Sequence, residues 1–380
     1  MKICITVHSS PWSSFKGGGQ LAVHHLAQQL ALMGHQVWVV YSLDNNSAYL
    51  KEEVTYKILW IKHIDIKTLN LNAFSVARSV YKLAKEVGLD VIHGNGEEAF
   101  FLPWVADILK TKFICTTHAP TVLDHGFFSS FNHPIQLLKE LNLHLFRSTL
   151  KRSDGIITYS NYSYAMIRTT LHEYPKEKIF QVAPGIHPSW FEVVRKDNQE
   201  KHSITFFGRV EYEKGVDVLI SAFKKVSESY PQSVLNVIGE GNWEKNAQQL
   251  ARSLGLEKKI IFHGWKELAA LQDLVGKSVL CVLPSRVESF GLTIAEAMAS
   301  GIPVISTRVA AIPELITDQE HGLLIPADDP EHLGNAILYA FDNKEKMSEM
   351  AQRARQKIKS HFTWETTAKK CQAIYENIRE

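Results

Sequence analysis

SITFFGRVEYEKGVDVLISAFKKVSESYPQSVLNVI, residues 203–238, sets the reading of the fold. It opens on a short apolar run (203–207) and turns through a loop holding Gly208 and Gly215. Helical apolar spacing follows over 216–229, Pro231 breaks it, and VLNVI (234–238) resumes an apolar run. This is a strand, loop, helix, strand unit. The same plan stands near the start: KICITV (2–7), a loop with Gly17, Gly18 and Gly19, helical spacing over 20–33, a stop at Gly34, then VWVVY. Two separate starts of a parallel sheet predict two doubly wound α/β domains. Further strands are expected at 91–95, 112–118, 155–160, 260–264, 279–284 and 303–307, each a nearly continuous apolar run suited to a sheet covered on both faces.

Length and composition fit that count. The 380 residues allow two or three domains, and the stretch 184–202, with two prolines and then aperiodic charge, is the linker candidate. A helix is expected from Thr363 to Glu380, with Trp364, Ala368, Cys371, Ile374, Tyr375 and Ile378 as its apolar positions. Lys plus Arg total 42 against 40 Asp plus Glu, a net charge of +2, which argues against nucleic acid as a partner of the chain as a whole. Cys4, Cys115, Cys281 and Cys371 are widely separated with no zinc spacing, so buried thiols are expected, with no disulfide and no structural metal. No apolar run reaches the roughly 18 residues of a membrane span, and MKICITVHSS lacks a signal peptide's apolar core, which together predict a cytoplasmic protein. Residues 135–151 read as an amphipathic helix packed on its own domain; the same pattern, with Lys139, Arg147 and Lys151, also suits peripheral contact with the inner face of a membrane.

The chemistry is expected around SRVESFGLTIAEAMASGIPVIST, residues 285–307. A strand ends near Pro284, a loop carries Glu288, and a helix begins near Leu292. The N–H groups of Gly291, Leu292 and Thr293 then point outward at the positive end of a helix dipole, a place for an anion. Glu296 lies about one turn inside that helix, so the two carboxylates can reach different parts of one ligand. Taken singly, Glu288 could merely cap the helix and Glu296 could be a solvated position. The loop GRVEYEKG adds Arg209 and Lys214 just before a helix start, where a cation is unfavourable unless an anion lies between. Together they suit a pyrophosphate leaving group; pairing with Glu211 or Glu213 is the alternative.

Glu288 and Glu296 in ESFGLTIAE, together with GRVEYEKG, the early GGG and the FTW helix, resemble the retaining GT-B glycosyltransferases of family 4, also described as group 1. The resemblance covers nearly the whole chain. It implies two Rossmann-like domains facing across a cleft: an acceptor-side domain over 1–190 plus 363–380, and a domain over 200–362 that binds a nucleotide diphosphate sugar. Arg209 and Lys214 would hold the diphosphate. Glu288, with the backbone around Phe290, Gly291 and Leu292, would hold the donor sugar and distal phosphate, and Glu296 the ribose. Gly239, Gly241 and Trp265 fall where the family holds the nucleoside. In the first domain the resemblance sets Gly17, Gly18 and Gly19 against the donor phosphate or acceptor, and His118 near the reacting carbon. Ser160 and Asn161 are assigned to the acceptor side from their place at a strand end. Glu288, His118, Arg209 and Lys214 are thus the catalytic candidates.

The implied reaction retains configuration at the anomeric carbon, with the departing phosphate oxygen helping to deprotonate the acceptor hydroxyl. The acceptor class covers saccharides, lipid-linked sugars and small molecules. No Asp-x-Asp motif stands in a convincing loop, since Asp328-Asp329 reads as a turn before a helix, so no metal and no cofactor are expected. A nucleotide-sugar epimerase on the same fold, or a non-catalytic sugar-nucleotide-binding protein, are the competing readings.

Overall fold

The structure is a computed structural model that describes residues 1–12, 18–43, 53–62, 72–118, 134–195 and 202–379. The side chains of residues 42, 43, 62 and 134–140 lie outside the description. Gly17 and the Ala119-Pro120 that follows His118 also fall outside it. The chain forms two compact units, one of Met1–Gly185 with Trp364–Glu380, the other of Ile186–Thr363.

In the first unit the elements run β1 (Lys2–Ser9), α1 (Gly18–Leu32), β2 (Gln36–Leu43), β3 (Lys57–Lys62), α2 (Asn72–Val87), β4 (Val91–Asn95), α3 (Leu102–Leu109), β5 (Lys112–Thr116), α4 (Pro134–Lys151), β6 (Gly155–Thr158), α5 (Asn161–Thr170) and β7 (Ile179–Gln181). Every pairing is parallel, in the order β3-β2-β1-β4-β5-β6-β7. Side chains of adjacent strand residues point to opposite faces. Ile3, Ile5, Val37, Val39, Ile114 and Ile157 therefore join one core layer, while Cys4, Trp38, Val40, Ile92, Phe113 and Ile156 join the other. The second layer is closed by α2 to α5. Within α4, Phe146 and Leu150 are buried in it and Leu141 is exposed; the side chains of Ile135, Leu138 and Lys139 lie outside the description.

The second unit repeats the winding with β8 (Ser203–Phe207), α6 (Val216–Ser229), β9 (Val234–Ile238), α7 (Glu244–Ser253), β10 (Ile260–Gly264), α8 (Leu268–Gly276), β11 (Leu280–Leu283), α9 (Leu292–Ala299), β12 (Val304–Thr307), α10 (Ile312–Leu315), β13 (Leu323–Ile325), α11 (Pro330–Asp342) and α12 (Lys344–His361). Its parallel sheet has the order β10-β9-β8-β11-β12-β13. The segment before β8 belongs to this unit: Ile186 bridges to Thr363, and Trp190 stacks on Phe207 at 5.5 Å. Asp329 caps α11 by accepting from the His332 N–H at 2.9 Å, which gives the Asp328-Asp329 turn its structural role.

The helix α13 (Trp364–Arg379) then returns to the first unit and packs on α1. Trp364, Ala368, Cys371, Ile374 and Tyr375 are buried in the layer that holds Ile3 and Ile5. It is tied there by the Thr367 hydroxyl donating to the Ala183 carbonyl at 2.9 Å, by Tyr375 Oη and His93 Nδ1 at 2.6 Å, and by an Arg379–Asp90 ion pair at 2.8 Å. All four cysteines are buried, and burial pushes each thiol up to about 12, so none is a thiolate nucleophile at neutral pH. Among the described residues no helix is long and apolar enough to cross a membrane.

Candidate active site

In an open parallel sheet, ligands gather beyond the carboxyl ends of the strands where the strand order reverses. In the second unit that point lies between β8 and β11, whose following loops carry Arg209 with Lys214 and Glu288 respectively. Loops that leave neighbouring strands on the same side are brought together by the sheet itself.

The contact is direct. Lys214 Nζ donates to Glu288 Oε1 at 2.6 Å, although 74 positions separate them, and Ser285 Oγ donates to the same oxygen at 2.9 Å. Lys214 therefore does not pair with Glu211 or Glu213, and no side chain caps α9, so Glu288 is not a helix cap. The approach depends on Gly215. Its φ is +67°, and a Cβ there would stand 2.1 Å from the Pro284 carbonyl oxygen. Only a glycine lets the start of α6 lie against the end of β11.

Arg286 was not anticipated from sequence and organises the same loops. Its guanidinium makes a two-pronged pair with Asp217 at 2.9 and 2.7 Å, reaches Asp328 at 2.7 Å, donates to the Tyr212 carbonyl, and lies 3.8 Å over the Tyr212 ring. Its backbone N–H also donates to the Glu213 carbonyl at 2.7 Å. One cation thus fastens the turn that carries Lys214 to the loop that carries Glu288. The planar fork of arginine is what allows several acceptors at once. The sequence signal was an Arg two residues before Glu288, but its partners lie too far along the chain to be paired by inspection.

Gly291, at φ +92°, opens α9, and the helix start leaves the N–H groups of Leu292 and Thr293 without acceptors inside the helix. Phe290 is buried and its ring lies 5.5 Å from that of Phe362, which fixes the loop from below. Glu296, one turn on, is half-buried. Its carboxyl lies near the Trp190 indole N–H without meeting hydrogen-bond geometry, and desolvation pushes its pKa up to about 8. Arg209 is exposed and has no hydrogen-bond or ion-pair partner among the described residues. Gly239 and Gly241 have a packing reason: a Cβ would stand 1.9 Å from the Gly208 carbonyl oxygen and 2.2 Å from that of Val210. Trp265 is 41% exposed, and its backbone N–H donates to Glu240 Oε1 at 3.2 Å.

In the first unit β5 ends at Thr116, so His118 stands just beyond the strand rather than closing it. It neighbours the start of α1: a Cβ built on Gly19 would lie 3.5 Å from its ring. Gly18 opens α1 and is exposed. Ser160 is the N-cap of α5, accepting from the Ser163 N–H at 3.0 Å, and Asn161 accepts from Gln181 at 2.8 Å. Both therefore have local structural partners.

Two family models match end to end. "Glycosyltransferase Family 4" covers residues 16–190, and "Glycosyl transferases group 1" covers residues 190–357. The chain belongs to the group 1, family 4 glycosyltransferases. It is 27% identical to a glycogen synthase of Mycobacterium tuberculosis over 386 aligned residues, covering 94% of this chain and 91% of that protein. Among solved structures it resembles sucrose-phosphate synthase of Thermosynechococcus elongatus, with TM-score 0.81, 20% identity and coverage of 100% and 99%. It also resembles Anabaena HepE, solved in complex with UDP-glucose, with TM-score 0.78, 21% identity and coverage of 100% and 99%. These likenesses establish the GT-B fold class of this glycosyltransferase, two Rossmann-like units on parallel sheets.

Proposed function

We propose that this glycosyltransferase is a retaining hexosyltransferase that moves a sugar from a nucleoside diphosphate sugar to an acceptor hydroxyl on a saccharide, a lipid-linked sugar or a small molecule. The observation that carries this reading is the Lys214–Glu288 pair beside the uncapped start of α9, at the strand-order reversal of the second unit. An ammonium has three donors. Glu288 uses one, so a phosphate oxygen can take another without breaking the pair. Arg209 adds a second cation and the α9 start adds backbone N–H groups. Such fixed donors, aimed at a departing diphosphate, stabilise charge as it develops and need no reorganisation during the reaction.

The step breaks the bond between the anomeric carbon and the diphosphate oxygen. The acceptor oxygen forms its new bond to that carbon from the same face, and its proton passes to the departing phosphate oxygen. No protein nucleophile is required, and Glu288 orients Lys214 and the sugar. Glu296 would take the ribose hydroxyls. Support for a uridine nucleotide comes from HepE, which was solved with UDP and with UDP-glucose. The fixed cations fill the role a divalent ion has in other transferases, so turnover should persist in EDTA.

The test is a panel of uridine, guanosine and adenosine diphosphate sugars, read by thermal stabilisation and nucleotide release. At least one donor should stabilise the protein. With that donor, Lys214→Ala and Glu288→Gln should lower turnover by about 10²–10³ while keeping cooperative unfolding. Stabilisation by no donor would sink the reading.

A further inference from the structure

His118 Nδ1 lies 2.7 Å from Tyr159 Oη, 41 positions along the chain. The other ring nitrogen, Nε2, is buried and has no partner among the described residues. A Cβ on Gly19 would stand 3.6 Å from it, so the start of α1 lies against this edge of the ring. We propose that Tyr159 is a positioning residue that holds His118 as the Nε2–H tautomer, so that a neutral imidazole presents one hydrogen-bond donor to an oxygen of the substrate beside Gly19. This rests on the transferase reading only for the identity of the oxygen, a sugar hydroxyl or a phosphate oxygen.

A neutral imidazole carries one N–H, and a tyrosine carries one O–H. If Tyr159 donates to Nδ1, its hydroxyl is satisfied and the only group left over is Nε2–H, against the start of α1 at Gly19. If instead Nδ1–H donates to Tyr159, the phenol proton lacks an acceptor and the Nε2 lone pair lacks a donor. The first arrangement leaves one fewer buried polar group unsatisfied, and such groups are rare in folded proteins. Tyr159 also lines a small, largely apolar pocket with His93, Asn95 and Thr116, where a water accepting its proton is what the reverse arrangement would need.

The surroundings keep both partners neutral. Burial lowers the His118 pKa to about 4, with Glu98 opposing this in part, and raises that of Tyr159. His93, the other imidazole facing this region, is also neutral: burial, with His118 adding to it, lowers its pKa to about 3. It bonds Tyr375 and Thr116 at 2.6 Å through its two nitrogens, so it does not compete for Tyr159. The Tyr hydroxyl is thus the group that distinguishes one face of the His118 ring from the other.

Long-range ¹H–¹⁵N correlation on the ¹⁵N-labelled full chain near neutral pH reads the tautomer, with the His118 ring assigned from its loss in His118→Gln. The wild type should show Nε2 protonated and Nδ1 bare. Tyr159→Phe, which keeps the ring and its packing, should shift His118 toward a mixture of tautomers. Turnover of the variant should fall about tenfold, as expected when a donor loses its orientation, with the KM for the nucleotide sugar little changed. A wild-type ring protonated on Nδ1, or a tautomer that Tyr159→Phe does not alter, overturns the proposal. The tautomer is read without substrate, so a failed donor panel would count against the transferase reading alone.

Discussion

Glu296 has the clearest consequence at the scale of a single residue. Burial in the fold raises its pKa from 4.5 to about 8, so the folded protein holds a proton that the unfolded chain releases. A group with a raised acid pKa weakens the fold as pH climbs, because ionisation is easier in the unfolded state. The penalty is absent below about pH 4.5, grows between there and pH 8, and is complete above. Glu296→Gln removes it. In urea titrations at pH 5, 6.5 and 8 the Gln variant should gain over the wild type with rising pH, reaching a few kcal/mol at the upper end. A difference independent of pH would mean that Glu296 is already ionised in the fold. The sequence placed this residue one turn inside a helix and at the ligand end of its domain. Its partial burial was not legible, because Trp190, which lies near it, comes from the segment read as a linker.

Elements meet in this protein where side chains are missing. Gly215 and Gly255 both have positive φ, at +67° and +70°, and differ only in what surrounds them: a Cβ on the first would stand 2.1 Å from Pro284 oxygen, while nothing lies within 4 Å of one on the second. Gly255→Ala should therefore cost only the left-handed backbone term, about 1–2 kcal/mol. Gly215→Ala should cost about 2 kcal/mol more, because α6 must move off β11. Equal losses in chemical denaturation would show that the approach is soft. Strands with continuous apolar runs were legible to the residue, as at Val91–Asn95 and Ile260–Gly264. The three-residue β7 and β13 and the strand Lys57–Lys62, with lysine at both ends, were not. Their pairing comes from the neighbouring strand rather than from their own composition. The two loops that form the Lys214–Glu288 pair were both singled out, but not their contact, because the clamp made by Arg286, Asp217 and Asp328 is a product of sheet order.

For the whole molecule, the division into two units makes α13 part of the fold at the other end of the sequence. Removing residues 364–380 should uncover the layer built on Ile3, Ile5 and Val39 and leave His93 without Tyr375. Hydrogen exchange on that deletion should show protection lost from β1, β4 and α1 while β8, β11 and α6 remain protected. Equal loss in both units would show that they unfold as one. The helix itself and its apolar stripe were legible from periodicity; its destination came from family resemblance, since periodicity says that a helix has a buried face and not what covers it.

That return also fixes an order of events during synthesis. The first unit leaves the ribosome early, yet the helix that closes one face of its sheet is translated only after all of Ile186–Thr363. At roughly 5–20 residues per second, that face waits on the order of ten seconds or more. The second unit has all of its residues before the first can be finished. The unit translated first is therefore the one completed last, with an apolar sheet face in need of protection in the interval.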